Sequence, residues 1–338
     1  MKLNVAVYNM EWMKDLFKAD GSVKTSGEDA ARGAFLADVV REMDPDILGI
    51  VEGPDTTASG SKKATTQLKT WANHHGLAST YKAVSGFVSR GQQELCALFK
   101  SDKVTLTHKP TKAMTKHPFN EPFLVDTTDT LIKEHYEHFR PPLELSVKPA
   151  GGGDEMARII VAHTKSKGIF DKVDSARFVQ VSERNRKKLF AECLSIRGRV
   201  DQWLTEDPNR HVIVMGDIND GFGMDFYERR YAKSAVDLLL GDVWEPELIL
   251  KHVLPQPKLG RYGWTPSTSR FTDKGTGDRV NVLIDHILVS QGVKVDGFTV
   301  WNPFYDHKED ATNQKVDSVK DALFGGADHF PVSAVMTL

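Results

Sequence analysis

The sequence predicts an α/β protein, and three observations carry that class. Short aliphatic, β-branched runs recur along the whole length: Leu3 to Tyr8, Ile47 to Val51, Leu95 to Phe99, Ile159 to Ala162, Val212 to Met215, Val282 to Val289 and Val332 to Met336. Each stops at polar residues, as buried strands do. Between several of them lie segments of helical period, Ala30 to Met43, Thr65 to His75 and Ala176 to Leu204. In the last, Leu189, Cys193, Ile196, Val200 and Leu204 recur at steps of three or four, which builds one apolar stripe. The Asp44-Pro45-Asp46 turn ends the first helix, because the residue before a proline disfavours helix. Third, no repeat, low-complexity tract or linker interrupts the chain, so 1–338 reads as one domain. Its irregular stretches, about 105–153 and 252–279, read as loops or hairpins over a surface.

Composition narrows the function. Hydrophobic residues at 40% and charged residues at 27% exclude disordered and fibrous classes. The 44 basic and 46 acidic residues leave a formal charge of -2, so a polyanionic partner needs a local basic surface. Two cysteines, Cys96 and Cys193, provide neither a disulfide scaffold nor a thiolate zinc site. Strand alternation begins at Leu3 and no apolar run reaches about 18 residues. The expectation is a cytoplasmic monomer without membrane association, secreted only if a leader was removed.

The informative residues stand where the apolar runs stop. The first strand delivers Asn9, and Ile47 to Val51 delivers Glu52, which alone would read as a solvated strand end. Ile159 to Ala162 delivers His163, which alone would read as structural. Val212 to Met215 leads through Gly216 to Asp217 and Asn219, alternate residues that share one side of an extended chain. Asp285 lies in an apolar strand, and Asp328-His329 precedes the last one. An Asp beside a His fixes the imidazole tautomer and raises its basicity. Oxygen donors and imidazoles without thiolates suit Mg²⁺ or Mn²⁺ better than Zn²⁺, and Mg²⁺ sites with few carboxylates point to phosphoryl chemistry.

In order and rough spacing, Asn9, Gly49-Ile50-Val51-Glu52, the His163 strand, Gly216-Asp217-Ile218-Asn219, Ile284-Asp285-His286-Ile287 and Asp328-His329-Phe330-Pro331-Val332 resemble the endonuclease/exonuclease/phosphatase superfamily, the DNase I-like fold. The resemblance spans nearly the whole chain. It implies a four-layer α/β sandwich, two mostly antiparallel sheets face to face with helices outside, and metal-dependent phosphoester hydrolysis. It makes Glu52 the main metal ligand, with Asn9 and Asp328 near the ion or its waters. It has Asp217 position or deprotonate the attacking water, Asn219 hold that water or the phosphate, and His163 and His329 donate to the non-bridging oxygens, with Asp285 orienting His329. Val161 and Ala327 depart from the Asn and Ser frequent in the family. The acid that often steadies the His163 equivalent would fall at Gln93 or Glu94.

Substrate is less legible. Phe139-Arg140-Pro141-Pro142-Leu143-Glu144 resembles a stretch of bacterial nuclease-like members, Lys165 and Lys167 follow His163, and Arg184, Arg186, Lys187 and Lys188 open the long helix. Tyr262 and Trp264 could wedge against bases or pack beneath a loop. The expected partner is therefore nucleic acid, DNA in particular, with Arg140, Lys165, Lys167 and Arg184 as phosphate binders. The alternative is a small-molecule or lipid-headgroup phosphodiesterase or phosphatase, whose lipid form lacks an aromatic hairpin or amphipathic helix. A catalytically dead binding module is disfavoured, because every principal site residue is present.

Overall fold

The frame is set by two pairs of parallel strands, each delivering its C-terminal end to the same edge of the molecule. The computed structural model describes residues 1–57, 59–111, 117–128, 130–169, 174–226, 228–254, 266–272, 279–307 and 309–338. In chain order the elements are β1 (Lys2–Asn9), α1 (Glu28–Met43), β2 (Ile47–Gly53), α2 (Ala64–His74), β3 (Tyr81–Ser85), β4 (Glu94–Lys100), β5 (Val104–His108), β6 (Phe123–Val125), β7 (Glu134–Tyr136), β8 (Leu143–Pro149), β9 (Ala157–His163), α3 (Ser175–Glu206), β10 (Val212–Asp217), α4 (Ala235–Leu240), β11 (Leu250–His252), β12 (Ser269–Thr272), β13 (Arg279–Val282), β14 (Asp285–Ser290), β15 (Lys294–Val300), α5 (Asp310–Ser318), α6 (Lys320–Gly326) and β16 (Val332–Thr337).

One sheet has the order β15-β16-β1-β2-β4-β3 and the other β11-β14-β10-β9-β8-β5. In each, one central pair is parallel, β1 with β2 and β9 with β10, and the remaining neighbours are antiparallel. Alternation along the strands sends Val5, Val7, Ile47 and Val51 against Ile159, Val161, Ile213 and Met215 between the sheets. The opposite faces pack on helices, Ala6, Tyr8 and Leu48 under α1, α2 and α6, and Ile160, Val212 and Val214 under α3 and α4. The result is the four-layer sandwich. Gly49 marks a close approach of the sheets, where a Cβ would come within 2.7 Å of Met215 Cε. Among the described residues, no helix is long and apolar enough to cross a membrane.

Helices α1, α2 and α3 fall within two residues of their expected limits. Asp174 caps α3 by accepting the Arg177 N–H at 2.8 Å, and α1 stops at Asp44, whose left-handed φ of 46° precedes Pro45. Three readings need correction. The stretch 105–153 is not surface loop throughout, since it holds β8, a buried strand between β5 and β9. Its apolar run is broken by Glu144 and Ser146 on the face towards α3, where Glu144 forms a buried ion pair with Arg199 and accepts the Thr111 hydroxyl at 3.0 Å. The expected strand Val282–Val289 is divided, because Val282 ends a hairpin with β12 and Asp285 begins the sheet strand. β15 went unseen because, of its residues, only Val300 is buried, so no apolar run marks it.

Glu144→Ala would strand Arg199 in the interior, and breaking a buried pair in this way costs about 3–5 kcal/mol. Urea unfolding of that variant and of Glu144→Leu/Arg199→Met checks it. The single variant should lose that much and the double variant should regain most of it, whereas a loss below about 1 kcal/mol in the single variant contradicts the assignment.

Candidate active site

Three neighbouring strands end in register, so Asp217 of β10 lies beside His163 of β9 and Asp285 of β14. Cross-strand pairs project to the same face. Gly216 makes this possible: at φ +152° a Cβ would stand 1.9 Å from the Ala162 carbonyl oxygen, a distance no side chain tolerates. From the facing sheet β1 ends in Asn9, and β2 slips register against β4 between Ile50 and Gly53, with Glu52 held at φ 56°. Glu11, Trp12 and Asn219 are also left-handed, at 43°, 47° and 54°. Such backbone persists in non-glycine residues only where surrounding contacts over-determine it, as at functional sites. Those contacts are present. Arg32 Nη1 donates to the carbonyls of Met10 at 3.1 Å and Glu11 at 2.6 Å, and the Trp12 N–H donates to Glu52 Oε2 at 2.9 Å.

The polar groups interlock. Asp285 Oδ2 lies 2.7 Å from His329 Nδ1. Asn9 Nδ2 donates to Asp217 Oδ2 at 3.1 Å and sits 3.4 Å from His329 Nε2, while Asn9 Oδ1 accepts the Glu11 N–H at 3.1 Å. His163 Nε2 is 3.5 Å from Asp217 Oδ2 and 3.9 Å from Glu52 Oε1. Asn219 donates its side-chain amide to the Thr164 carbonyl at 3.1 Å and its N–H to Asp217 Oδ1 at 2.9 Å. Asp328 stands at the mouth with its side chain 48% exposed, and its N–H donates to Glu11 Oε2 at 3.0 Å.

Burial and crowding set the protonation states. Burial pushes the Asp217 carboxyl up to about 7, with His329 opposing and the charges of Asp285 and Glu52 adding to the rise. Burial alone would lower His329, but the Asp285 charge and hydrogen bond, with Asp217 and Asp328, override it and raise the imidazole to about 10. His163 moves the other way, well below its ordinary value, through burial and the nearby Arg140 and His329. At neutral pH the site therefore holds one imidazolium and one neutral imidazole.

This carboxylate-rich set fits a hard divalent cation. Asp285 Oδ1 is buried without a hydrogen-bond partner, and Asp328 is raised by burial and by the charges of Glu52 and Asp285. Asp217, Asp285 and His329 also offer ligand atoms within 4.8 Å of one another, a spacing that one metal ion can span.

The edge opens into a cleft of about 1480 Å³. It gathers Glu52, His163, Asp217, Asn219, Asp328 and His329 with Arg140 and Lys165. Arg140 donates to Gln93 Oε1 at 2.8 Å and to the Thr164 carbonyl at 3.2 Å. Of the two positions considered for a steadying acid, Gln93 lines the cleft through this bond, whereas Glu94 accepts the N–H groups of Ser89 and Thr56. Neither engages His163, whose buried Nδ1 has no partner. Lys167 is gripped by Asp220 at 2.5 Å, Glu228 at 2.9 Å and Asp225 at 3.7 Å. Arg184 is exposed on α3 outside the lining. Tyr262 and Trp264 lie outside the described residues. Sequence reasoning passed over Glu11, although it follows Asn9 at the same strand end, and Trp12, which lines the cleft; Lys188, one of the basic residues that open the long helix, lines it too.

The model of the endonuclease/exonuclease/phosphatase family matches residues 8–305, and no curated protein matches the chain. Among solved structures, an endonuclease/exonuclease/phosphatase family protein from Bacteroides thetaiotaomicron is 16% identical, with 99% of this chain and 97% of that one covered at a TM-score of 0.50. A mannosyl-6-phosphatase from the same organism is 17% identical, with 99% and 100% covered at 0.51. Truncated TDP2 from Caenorhabditis elegans is 12% identical, with 100% and 98% covered at 0.52. At these identities the likeness is one of fold. The match over residues 8–305 places the chain in the endonuclease/exonuclease/phosphatase family, whose members hydrolyse phosphoester bonds.

Proposed function

We propose that the protein is a Mg²⁺- or Mn²⁺-dependent nuclease that hydrolyses phosphodiester bonds of nucleic acid, DNA in particular. The observation that carries this reading is the shape and charge of the cleft. Its volume exceeds the roughly 300–1,000 Å³ of small-ligand pockets. Arg140, Lys165 and Lys188 line it near the carboxylates, and its lining includes Trp12, Phe139 and Phe222, exposed by 44%, 41% and 39%. Cations beside exposed aromatic faces suit a strand that offers phosphates and bases in alternation. Lys165 is left without a carboxylate partner among the described residues, unlike Lys167 and unlike Arg186, which bonds Asp225 through Nε at 3.1 Å. Arg140 and Lys165 are thus the phosphate-contacting groups in this reading, with Lys188 added, while Lys167 braces the loop.

Glu52, Asp328 and the amide oxygen of Asn9 would hold the cation. His329 is the poorer ligand, since its Nδ1 is committed to Asp285 and the ring is cationic. The ion supplies charge neutralisation for the phosphate and its leaving oxygen. Asp217 accepts the proton of the attacking water, which its raised pKa suits. Asn219, fixed at Thr164, orients that water. His329, kept protonated by Asp285, and neutral His163 through its Nε2–H meet the non-bridging oxygens, where charge accumulates in the transition state.

The two shifted pKa values give a pH profile. Asp217 serves as base only when ionised, so kcat/KM should rise through about pH 7. His329 serves only when protonated, so activity should fall above about pH 10. Asp285→Asn removes the charge that raises His329 and should move the alkaline limb to lower pH. An unmoved limb means that His329 is not the group titrating there.

Substrate is tested with supercoiled plasmid, single strands, RNA, bis-p-nitrophenyl phosphate and a sugar phosphate, each with Mg²⁺ or Mn²⁺ and with excess EDTA. Nucleic acid should be cut in a metal-dependent way. Lys165→Ala/Lys188→Ala should slow plasmid cleavage by about tenfold or more and flatten its salt dependence by roughly 0.7–0.9 log units per lost phosphate contact, while bis-p-nitrophenyl phosphate turnover stays within about twofold. If nucleic acids go uncut while the sugar phosphate turns over, the small-molecule phosphatase reading replaces this one.

A further inference from the structure

Behind the cleft runs a partly buried hydrogen-bonded chain in which each partner dictates where the protons lie. The Leu254 N–H donates to His252 Nδ1 at 2.9 Å, so this ring bears its proton on Nε2. That Nε2 lies 2.9 Å from His286 Nδ1. His286 Nε2 in turn lies 2.7 Å from the Asp220 carbonyl oxygen, which can only accept. Both rings are therefore neutral Nε2–H tautomers pointing the same way, Leu254 to His252 to His286 to Asp220. Burial, together with the neighbouring ring, disfavours the charged form of His252, and burial does the same for His286. Phe222 packs edge-on against both rings, with centroids 5.1 and 5.9 Å away.

Asp220 is the far anchor of the turn that carries Asp217 and Asn219. Its side chain is gripped from other directions, Oδ1 by Lys167 at 2.5 Å and Oδ2 by the Ala235 N–H of α4 at 2.6 Å. Among the described residues, its carbonyl is held by β14 alone, through His286. On β14, Asp285 and His286 alternate, so one strand sends a carboxylate to His329 on one side and an imidazole to the Asp217–Asp220 turn on the other. Asn219 stays in the left-handed region between these anchors, a conformation that relaxes when its restraints are lost.

We infer that His286, oriented by His252, is a positioning residue for phosphoester hydrolysis: it fixes the Asp217–Asp220 turn so that Asp217 and Asn219 meet the attacking water. This rests on their reading as the water-handling pair. The ring acts as a neutral donor through the Asp220 backbone and touches neither substrate nor reacting atom. Its loss should therefore appear in the chemical step and leave binding in place.

The test compares His286→Phe, which keeps a ring of similar volume without the donor, with His286→Gln, whose amide can replace Nε2–H. Each is assayed on plasmid and on bis-p-nitrophenyl phosphate with Mg²⁺ or Mn²⁺. His286→Phe should lower kcat about tenfold to a hundredfold, the scale of small misplacements in a catalytic constellation, with KM within about twofold and the same factor on both substrates. His286→Gln should recover most of the loss. In the unaltered protein, ¹⁵N NMR of labelled imidazoles should show Nε2–H tautomers for both His252 and His286, a readout independent of turnover and of whether the Phe variant folds. Wild-type kcat in a folded His286→Phe protein, a loss in KM alone, or an Nδ1–H tautomer in either ring overturns the inference. If plasmid is uncut while the small diester turns over, the nuclease reading fails, and the diester and NMR arms still decide the role of His286.

Discussion

Negative charge gathered at the meeting ends of two sheets is the constraint that orders this molecule. Glu11, Glu52, Asp217, Asp285 and Asp328 converge on one edge, and Asp217 and Asp328 are each raised by burial and by the charges of their neighbours. Carboxylates brought this close remain in place only if something else supplies the compensating interactions. The imidazolium of His329 supplies one charge, and the Asn9 amide donates to Asp217. Backbone N–H groups supply more: Trp12 serves Glu52, Asn219 serves Asp217 and Asp328 serves Glu11. The remaining deficit is what a divalent cation would fill.

The scaffold serves that edge. Parallel pairs at the centre of both sheets send Asn9, Glu52, His163 and Asp217 to one end, and the antiparallel β14 starts there with Asp285. Two glycines permit the approach. Gly49 lets the sheets close over Met215, and Gly216 lets β10 pass the Ala162 carbonyl and turn out Asp217. Left-handed Glu11, Trp12, Glu52 and Asn219 form the rim, each tied by hydrogen bonds to a neighbouring segment. Rigidity at the rim would hold the proposed catalytic groups in place before substrate arrives, which is where electrostatic catalysis gains its advantage.

Strand ends were legible because a buried apolar run that stops on Asn, Glu, His or Asp contradicts the local preference for burial, and the contradiction recurs in order. The central strands and three long helices were legible by their periods. β8 was not, because its helix-facing positions are polar, and the charge of buried Glu144 is met by an arginine 55 residues away in the chain. The same blindness affected the basic residues. Lys165 and Lys167 look alike in sequence, yet Lys167 is surrounded by Asp220, Asp225 and Glu228, carboxylates from a later segment. No pattern around residue 167 records that neutralisation. Glu11 was missed for a different reason: it lies beyond the strand in a left-handed turn where alternation no longer says which way a side chain points.

The account depends on the cation sitting with Glu52, apart from the Asp285–His329 pair. Anomalous diffraction from crystals of the protein soaked in Mn²⁺ tests this most directly. The account predicts a peak bonded to the Glu52 carboxylate, with Asp328 and Asn9 bonded to it directly or through water, and the 2.7 Å contact between Asp285 and His329 intact. A peak ligated by Asp217, Asp285 and His329, with that contact broken, would contradict it.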